Sequence, residues 1–135
     1  MIKLDGKGLV PAIVQDANSG QVLMLGYMNP ATIKRTLEVG QVWFYSRSRE
    51  EPWHKGEVSG SYLNFKEAHV DCDGDTLLLQ VEPTGPVCHT GNQDCFFQPL
   101  EGEQEYEHDE RGSGILDELF SVIQERKLDR PEGSY

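Results

Sequence analysis

Apolar runs of strand length, separated by turn-forming residues, begin the chain. Residues 9–16 and residues 22–27 are two such runs. The segment Asn18-Ser19-Gly20 between them has the composition of a hairpin turn, since Asn and Gly tolerate the backbone angles that such turns need. The pattern therefore predicts two antiparallel strands near the N-terminus.

A second pair of apolar runs, residues 63–70 and 76–81, flanks a polar segment at residues 71–75. Asp73-Gly74 in the middle of that segment favours a tight turn, so a second hairpin is predicted. Shorter apolar runs at residues 42–46 and 95–98 predict two further strands.

A helix is predicted after residue 29. Asn29 is a favourable N-cap, Pro30 suits the first helical position, and Gly40 favours a helix end. The apolar stripe of this helix is predicted to consist of Ile33, Leu37 and Val39. Ser113 can cap another helix that ends near Lys127. Its apolar positions at helical spacing are Leu116, Leu119, Phe120 and Ile123.

Length and composition favour one globular domain that is not embedded in a membrane. The chain has 135 residues, of which 37% are hydrophobic and 26% are charged. We find no apolar run near the ~18 residues that a membrane span needs. The N-terminal residues carry acid and glycine where a signal peptide would be apolar, so we expect a cytoplasmic protein.

The net charge of −11 is concentrated at the C-terminal end. Residues 1–100 hold 12 Asp or Glu against 8 Lys or Arg, whereas residues 101–135 hold 11 against 4. An acidic chain repels a phosphate backbone, so we expect no general nucleic-acid binding. A phosphorylated ligand would need local Arg, Lys or a metal ion.

The densest chemical signal is Asp71-Cys72-Asp73-Gly74-Asp75. In extended backbone, Asp71 and Asp73 point to one side and Cys72 to the other. Carboxylates suit a hard ion such as Mg²⁺ and a thiolate suits Zn²⁺, so one segment could serve two metals. A solvated hairpin turn explains the same residues about as well.

A calcium loop is a further alternative for this segment. Asp71, Asp73, Asp75 and Glu82 fall at positions 1, 3, 5 and 12 of such a loop. Against it, Thr76 stands where the loop needs glycine, and the flanking segments are predicted strands instead of helices.

Three cysteines are an odd number, which favours metal ligation over disulfides in a chain without a predicted secretory signal. Cys72, Cys88 and Cys95 could converge on one zinc ion. Three protein ligands leave an open position, as in catalytic zinc sites, whereas a fourth ligand from His69 or His89 would close a structural site. Inert buried thiols are the alternative for any one of them.

His89 follows Cys88 directly and is a candidate base. Three thiolates would make a zinc-bound water a weaker acid than three histidines would, which argues for a base nearby. The alternative is a histidine that hydrogen-bonds the backbone of its own loop.

The polar segment 47–60 is predicted to be a functional loop. Arg and Lys side chains can hold phosphate, glycine lets backbone amides approach it, and Trp can stack on a base. A solvated surface loop is an equal alternative. The candidate substrate-binding residues are Arg47, Arg49, Trp53, Lys55, Gly56, Ser59 and Gly60.

Three motifs occur in a fixed order: YSRSREEPWHKGEVSG, then VDCDGD, then CHTGNQDCF. In this order they resemble the phosphoribosyl-AMP cyclohydrolases of histidine biosynthesis, over about residues 5–98. The resemblance implies hydrolytic opening of the purine ring of 1-(5-phosphoribosyl)-AMP between nitrogen 1 and carbon 6. It also implies an α+β fold dominated by strands, a small mixed sheet or pseudo-barrel with one or two helices.

The resemblance assigns a ligand set as well. It implies Zn²⁺ on Cys72, Cys88 and Cys95, and Mg²⁺ on Asp71, Asp73 and Asp75. It further implies an intertwined homodimer whose zinc site takes ligands from both chains. A structural zinc module that binds a partner protein is the alternative function.

This chain departs from the family pattern at Asn92-Gln93-Asp94, where two basic residues and a serine are common. The tail ILDELFSVIQERKLDRPEGSY resembles the first helix of phosphoribosyl-ATP pyrophosphohydrolase. The predicted organisation is thus a cyclohydrolase domain at residues 1–105, a linker at 106–112, and the start of a second domain at 113–135. We expect a truncated bifunctional chain without pyrophosphohydrolase activity.

Overall fold

The computed structural model describes residues 1–108, which form six strands and one helix. In chain order these are β1 (Val10–Asp16), β2 (Val22–Met28), α1 (Pro30–Val39), β3 (Trp43–Ser46), β4 (Glu51–His54), β5 (Leu63–Val70) and β6 (Leu77–Pro83). Met1–Leu100 is one compact unit, and residues 101–108 contain neither helix nor strand. The helix predicted near residues 113–127 lies outside the described residues.

The strands form a four-stranded sheet in the order β2-β1-β6-β5 and a separate two-stranded sheet, β3-β4. The central β1 and β6 are parallel, and the other pairs are antiparallel. The prediction of a mixed, strand-dominated α+β fold is confirmed. The pseudo-barrel was wrong, because in the described residues β2 and β5 remain edges and the short hairpin β3-β4 does not close the gap between them.

The core is a cluster of buried side chains from β1, β2 and β6, joined by Phe44 of β3 and Leu63 of β5. Alternate residues of β1 and β6 are buried, as expected for strands that cover one face. Phe44 of β3 packs directly on β2, where a Cβ at Gly26 would lie 2.7 Å from the phenylalanine ring. Glycine at this position therefore lets the two sheets approach.

Helix α1 is bounded as predicted. Asn29 forms a capping box with Thr32, and Gly40 ends the helix with a left-handed φ of 84°. The predicted apolar stripe is confirmed at Ile33, which packs partly buried against the core, and was wrong at Leu37 and Val39, which are 62% and 53% exposed.

Threonines form the buried face of this helix instead. Thr32 and Thr36 are both nearly inaccessible. The Thr36 hydroxyl donates to the Thr32 carbonyl at 2.8 Å and accepts from the Trp43 amide at 2.9 Å. The helix is thus held to the start of β3 by a hydroxyl, which a search for apolar positions does not find.

Two other predictions need correction. The segment 47–60 is not loop throughout, because Glu51–His54 pairs with β3 as strand β4. Residues 95–98 form no strand, and a single hydrogen bond from the Cys95 amide to the Leu23 carbonyl, at 2.8 Å, attaches this segment to β2.

The one helix of the described residues is too short and too polar to cross a membrane.

Candidate active site

Three carboxylates meet at the turn between β5 and β6. The oxygens of Asp71, Asp73 and Asp75 lie within 4.8 Å of one another, and all three residues are exposed. The turn closes through hydrogen bonds from the Asp71 amide to the Thr76 carbonyl and from the Gly74 amide to the Asp71 carbonyl, each 3.0 Å. Among the described residues this is the one group of three or more ligating side chains that could hold a metal ion.

Hydrogen bonds within this turn shift the pKa values of Asp71 and Asp75 in opposite directions. Partial loss of solvation tends to raise the pKa of Asp71. Hydrogen bonds from Asp75 and from the Thr76 amide outweigh this effect, so the pKa of Asp71 is lowered. The pKa of Asp75 is raised, first by its hydrogen bond to Asp73 and then by that to Asp71. Without a cation, Asp75 therefore holds a proton more readily than an ordinary carboxyl does.

The N-terminal segment packs against the same turn. The Lys3 amide donates to the Gly74 carbonyl at 2.7 Å. A Cβ at Gly74 would lie 2.6 Å from the Met1 carbonyl oxygen, and the φ of Gly74 is +81°. The glycine that the turn signal picked out is thus required both by its backbone angle and by this close approach.

A small hairpin after β6 brings two of the three cysteines together. The Val87 amide donates to the Gln93 carbonyl at 3.2 Å and the Cys88 amide to the Asn92 carbonyl at 3.1 Å. Cys88 and Cys95 become neighbours within hydrogen-bonding range. Cys72, exposed in the acidic turn, does not join them in a group of three within the described part of one chain.

The two neighbouring thiols differ in acidity. A hydrogen bond from Thr90 is the main cause that lowers the pKa of Cys88, and the Cys95 thiol and the Lys55 charge act in the same direction. The pKa of Cys95 is raised, first by removal of its sulfur from water, although the residue as a whole is exposed, and then by its hydrogen bond to Cys88. Cys88 is therefore the first of the pair to become a thiolate.

Two polar residues that sequence reasoning did not assign lie behind Cys88. The Thr90 hydroxyl donates to the Cys88 sulfur at 3.2 Å, and the Asn92 side-chain amide donates to the Thr90 hydroxyl oxygen at 2.8 Å. Asn92 belongs to the stretch that departs from the family pattern. The sequence could have indicated Thr90, because it lies two residues after the candidate ligand Cys88. A tight turn at this spacing brings the threonine side chain back towards the sulfur.

The same stretch anchors the hairpin to Gln21, the residue before β2. Asp94 accepts a hydrogen bond from the Phe96 amide at 2.7 Å and another from the Gln21 side-chain amide at 2.5 Å. His89 is exposed at the tip of this hairpin, next to Cys88. An imidazole at this position is open to a ligand that approaches the thiols.

Lys55 lies deep beside the thiols. It is 8% exposed, and its ammonium donates to the Val87 carbonyl at 2.6 Å. Burial lowers the pKa of Lys55, while the negative charges of Cys95 and Cys88 oppose that shift. The side chain is thus directed towards the cysteine hairpin.

The other predicted basic residues are exposed on the β3-β4 hairpin. The Arg47 guanidinium lies 4.0 Å from the centre of the Tyr27 ring. Arg49 forms an ion pair with Glu51, with 3.7 Å between nitrogen and oxygen, and its guanidinium lies 6.0 Å from the centre of the Trp53 ring. The hairpin therefore presents two arginines and a tryptophan on one polar element.

The glycines of the following loop serve its folding. Gly56 is buried with a φ of +97°, and a Cβ there would lie 2.6 Å from the Ser61 carbonyl oxygen. Ser59 and Gly60 are exposed, and the Ser59 hydroxyl accepts a hydrogen bond from the Ser61 amide at 3.1 Å. Gly56 is therefore fixed by packing, whereas Ser59 and Gly60 remain open to a ligand.

Comparison with known proteins links these segments to one family. The family model described as phosphoribosyl-AMP cyclohydrolase matches residues 24–97. A phosphoribosyl-AMP cyclohydrolase of Haloquadratum walsbyi is 55% identical over 103 residues, covering 76% of this chain and 78% of the relative. One from Clostridium botulinum is 56% identical over 95 residues, covering 70% of this chain and 86% of the relative.

Longer relatives match nearly the whole chain. The histidine biosynthesis bifunctional protein HisIE of Caldanaerobacter subterraneus is 51% identical over 134 residues, which is 99% of this chain. That of Bacillus subtilis is 49% identical over 134 residues. The chain spans 63% of the first of these relatives and 62% of the second.

Proposed function

This chain belongs to the phosphoribosyl-AMP cyclohydrolase family, and from that membership we propose that it opens the purine ring of 1-(5-phosphoribosyl)-AMP in histidine biosynthesis. Water adds to carbon 6, the bond between carbon 6 and nitrogen 1 breaks, and the formimino aminoimidazole carboxamide ribotide is released. The observation that carries the proposal is the hairpin that joins Cys88 and Cys95 inside the matched region, residues 24–97.

The thiols have the chemistry of a zinc site. Sulfur ligands suit Zn²⁺, and Cys88 is already the more acidic of two adjacent thiols. We expect Cys88 and Cys95 of one chain to bind the ion together with Cys72 of a second copy in a homodimer. The bound zinc would supply a Lewis acid and lower the pKa of coordinated water.

The acidic turn has the chemistry of a magnesium site. The three exposed carboxylates lie within 4.8 Å of one another, so their negative charges repel and a cation between them would relieve that repulsion. Oxygen ligands of this kind suit Mg²⁺, which commonly binds one or two carboxylates together with substrate phosphates. We therefore assign Asp71, Asp73 and Asp75 to Mg²⁺ at the phosphate end of the substrate.

The remaining roles follow from position. An imidazole nitrogen of His89 takes a proton as water adds and returns it to the departing nitrogen, which is consistent with its exposed place beside Cys88. Arg47 and Arg49 contact phosphate, Trp53 stacks on the base, and Ser59 and Gly60 offer polar groups from the adjoining loop. We keep Gly56 as a packing requirement of that loop.

The test is an ultraviolet assay of ring opening on phosphoribosyl-AMP with the full chain. We expect turnover that a chelator abolishes and that added Zn²⁺ with Mg²⁺ restores. A metal-supplemented chain without turnover would refute the enzyme proposal. Unfolding on zinc removal would instead support the alternative, a structural zinc module that binds a partner protein. The cytoplasmic location stays a prediction.

A further inference from the structure

Within residues 1–108, Lys55 is a buried cation that forms no ion pair with a carboxylate. Lys34 and Lys66, by contrast, pair with Glu38 and Glu82 at exposed positions. At 8% exposure, an ammonium retained in this position costs free energy unless a negative charge lies close to it.

The contacts of the Lys55 ammonium direct the side chain towards the cysteine hairpin. The ammonium donates a hydrogen bond to the Val87 carbonyl, at 2.6 Å, and its nitrogen lies 5.6 Å from the centre of the Trp53 ring. The thiols of Cys95 and Cys88 are near enough to interact electrostatically with the ammonium. The side chain thus lies between the β4 end and the cysteine hairpin.

The backbone connects the hydrogen bond between Lys55 and the Val87 carbonyl to Cys88, the proposed zinc ligand. Val87 directly precedes Cys88, and the amides of both residues are already tied into the hairpin by hydrogen bonds to Gln93 and Asn92. A donor on the Val87 carbonyl therefore constrains the peptide unit that carries Cys88. Loss of this donor would leave a buried carbonyl unsatisfied as well.

The charge of the proposed zinc site also favours a cation at the position of Lys55. Three thiolates around Zn²⁺ would leave one excess negative charge, which a neighbouring cation would offset. In the described residues, Lys55 is the buried charged side chain. Its ammonium has the sign and the position that such a site needs.

We propose that Lys55 is a positioning residue of the thiolate site, which balances the charge of the cysteine ligands and orients Cys88 through the Val87 carbonyl, instead of a contact to substrate phosphate. The inference rests on the proposed zinc site. It assigns a role to the outer sphere of that site, where partners of metal ligands commonly change affinity about 10- to 100-fold.

The experiment measures zinc affinity by competition with a chromophoric chelator, without substrate, for the wild-type chain, Lys55→Met, Lys55→Gln and Lys55→Arg. We expect a loss of about 10- to 100-fold for Lys55→Met. Lys55→Gln keeps a donor but no charge and should also lose affinity, whereas Lys55→Arg should recover part of it. The matched control is Lys66→Met at an exposed ion pair, which should bind zinc as the wild type does.

A spectrum separates positioning from simple loss of fold. With Co²⁺ in place of zinc, the thiolate-to-metal band should change in Lys55→Met and Lys55→Gln and stay unchanged in Lys66→Met. If Lys55→Met does not fold, as judged by circular dichroism, the comparison of Lys55→Gln with Lys55→Arg decides the question.

Wild-type zinc affinity and an unchanged cobalt spectrum in the folded Lys55→Gln variant, with a raised KM for phosphoribosyl-AMP, would overturn the proposal in favour of a substrate contact. A wild-type chain that binds no zinc would overturn it too. Failure of the ring-opening assay alone would refute the proposed function and leave the affinity result standing, so the two failures are distinguishable.

Discussion

The Thr90 hydroxyl donates a hydrogen bond to the Cys88 sulfur, with 3.2 Å between oxygen and sulfur. Thr90 is in turn held by the Asn92 side-chain amide at 2.8 Å. A hydrogen bond to sulfur favours the thiolate, so this pair of side chains would favour the proposed role of Cys88 as a metal ligand.

Removal of the Thr90 hydroxyl should therefore make Cys88 less reactive. In Thr90→Val the pKa of Cys88 rises towards the ordinary thiol value, so a smaller fraction is thiolate at neutral pH. We expect alkylation of Cys88 by iodoacetamide in chelator-treated protein to slow about three- to tenfold. Mass spectrometry of the Cys88 peptide measures the rate.

Thr90→Ser is the matched control, because it keeps the hydroxyl and should alkylate at nearly the wild-type rate. The pH at which Cys88 becomes reactive should shift upward in the valine variant only. Equal rates for valine and serine would mean that the hydroxyl does not act on the sulfur.

Asp75→Asn tests the acidic turn. The raised pKa of Asp75 means that its proton competes with a cation, so Mg²⁺ affinity should fall as pH falls through that pKa, at a higher pH than for an ordinary carboxyl. The asparagine variant loses one ligand charge, and we expect about tenfold weaker Mg²⁺ binding by calorimetry with less dependence on pH.

Glu38→Gln removes one charge from an exposed helical ion pair and is the control for overall charge. It should bind Mg²⁺ as the wild type does. If both variants bind equally well, the acidic turn is a solvated turn and the magnesium assignment falls.

His89→Ala tests the proton-transfer role. The side chain is exposed, so the fold and zinc affinity should be preserved while kcat falls about 10²- to 10⁴-fold. The pH profile of kcat should also lose the limb that belongs to the imidazole. Wild-type turnover with an unchanged profile would remove His89 from the mechanism.

Gly56→Ala tests the packing of the loop after β4. A Cβ there would lie within 2.8 Å of the backbone of both Ser61 and Tyr62, and φ is +97°. We expect a loss of about 1–3 kcal/mol in the free energy of unfolding, measured by denaturant titration. Gly6→Ala, where a Cβ meets nothing within 4 Å, should change stability much less.

Local signals predicted the elements well because they act over a few residues. Asn29 and Gly40 bound the helix as expected, and the Asp73-Gly74 turn joins β5 to β6. The buried face of α1 was missed, because Thr36 is buried for its hydroxyl and not for an apolar side chain. Such a contact depends on where β3 begins in space.

The site was predictable in residue type but not in arrangement. Sequence spacing could not indicate that Lys55 is buried against Val87, because the two are 32 residues apart and meet only when β4 and the end of β6 are assembled. The pairing of Cys88 with Cys95 depends on a hairpin of irregular backbone. In the proposed homodimer, the position of Cys72 relative to them would depend on a second chain.

The central claim is that one zinc site combines Cys72 of one chain with Cys88 and Cys95 of another, and subunit mixing tests it most directly. The variants Cys72→Ser and Cys88→Ser/Cys95→Ser should each be inactive alone. After the two are unfolded and refolded together in equal amounts, mixed dimers would contain one intact site of two, so about a quarter of wild-type ring-opening activity should return. No recovery of activity or zinc binding, with mixed dimers present by native mass spectrometry, would contradict the account.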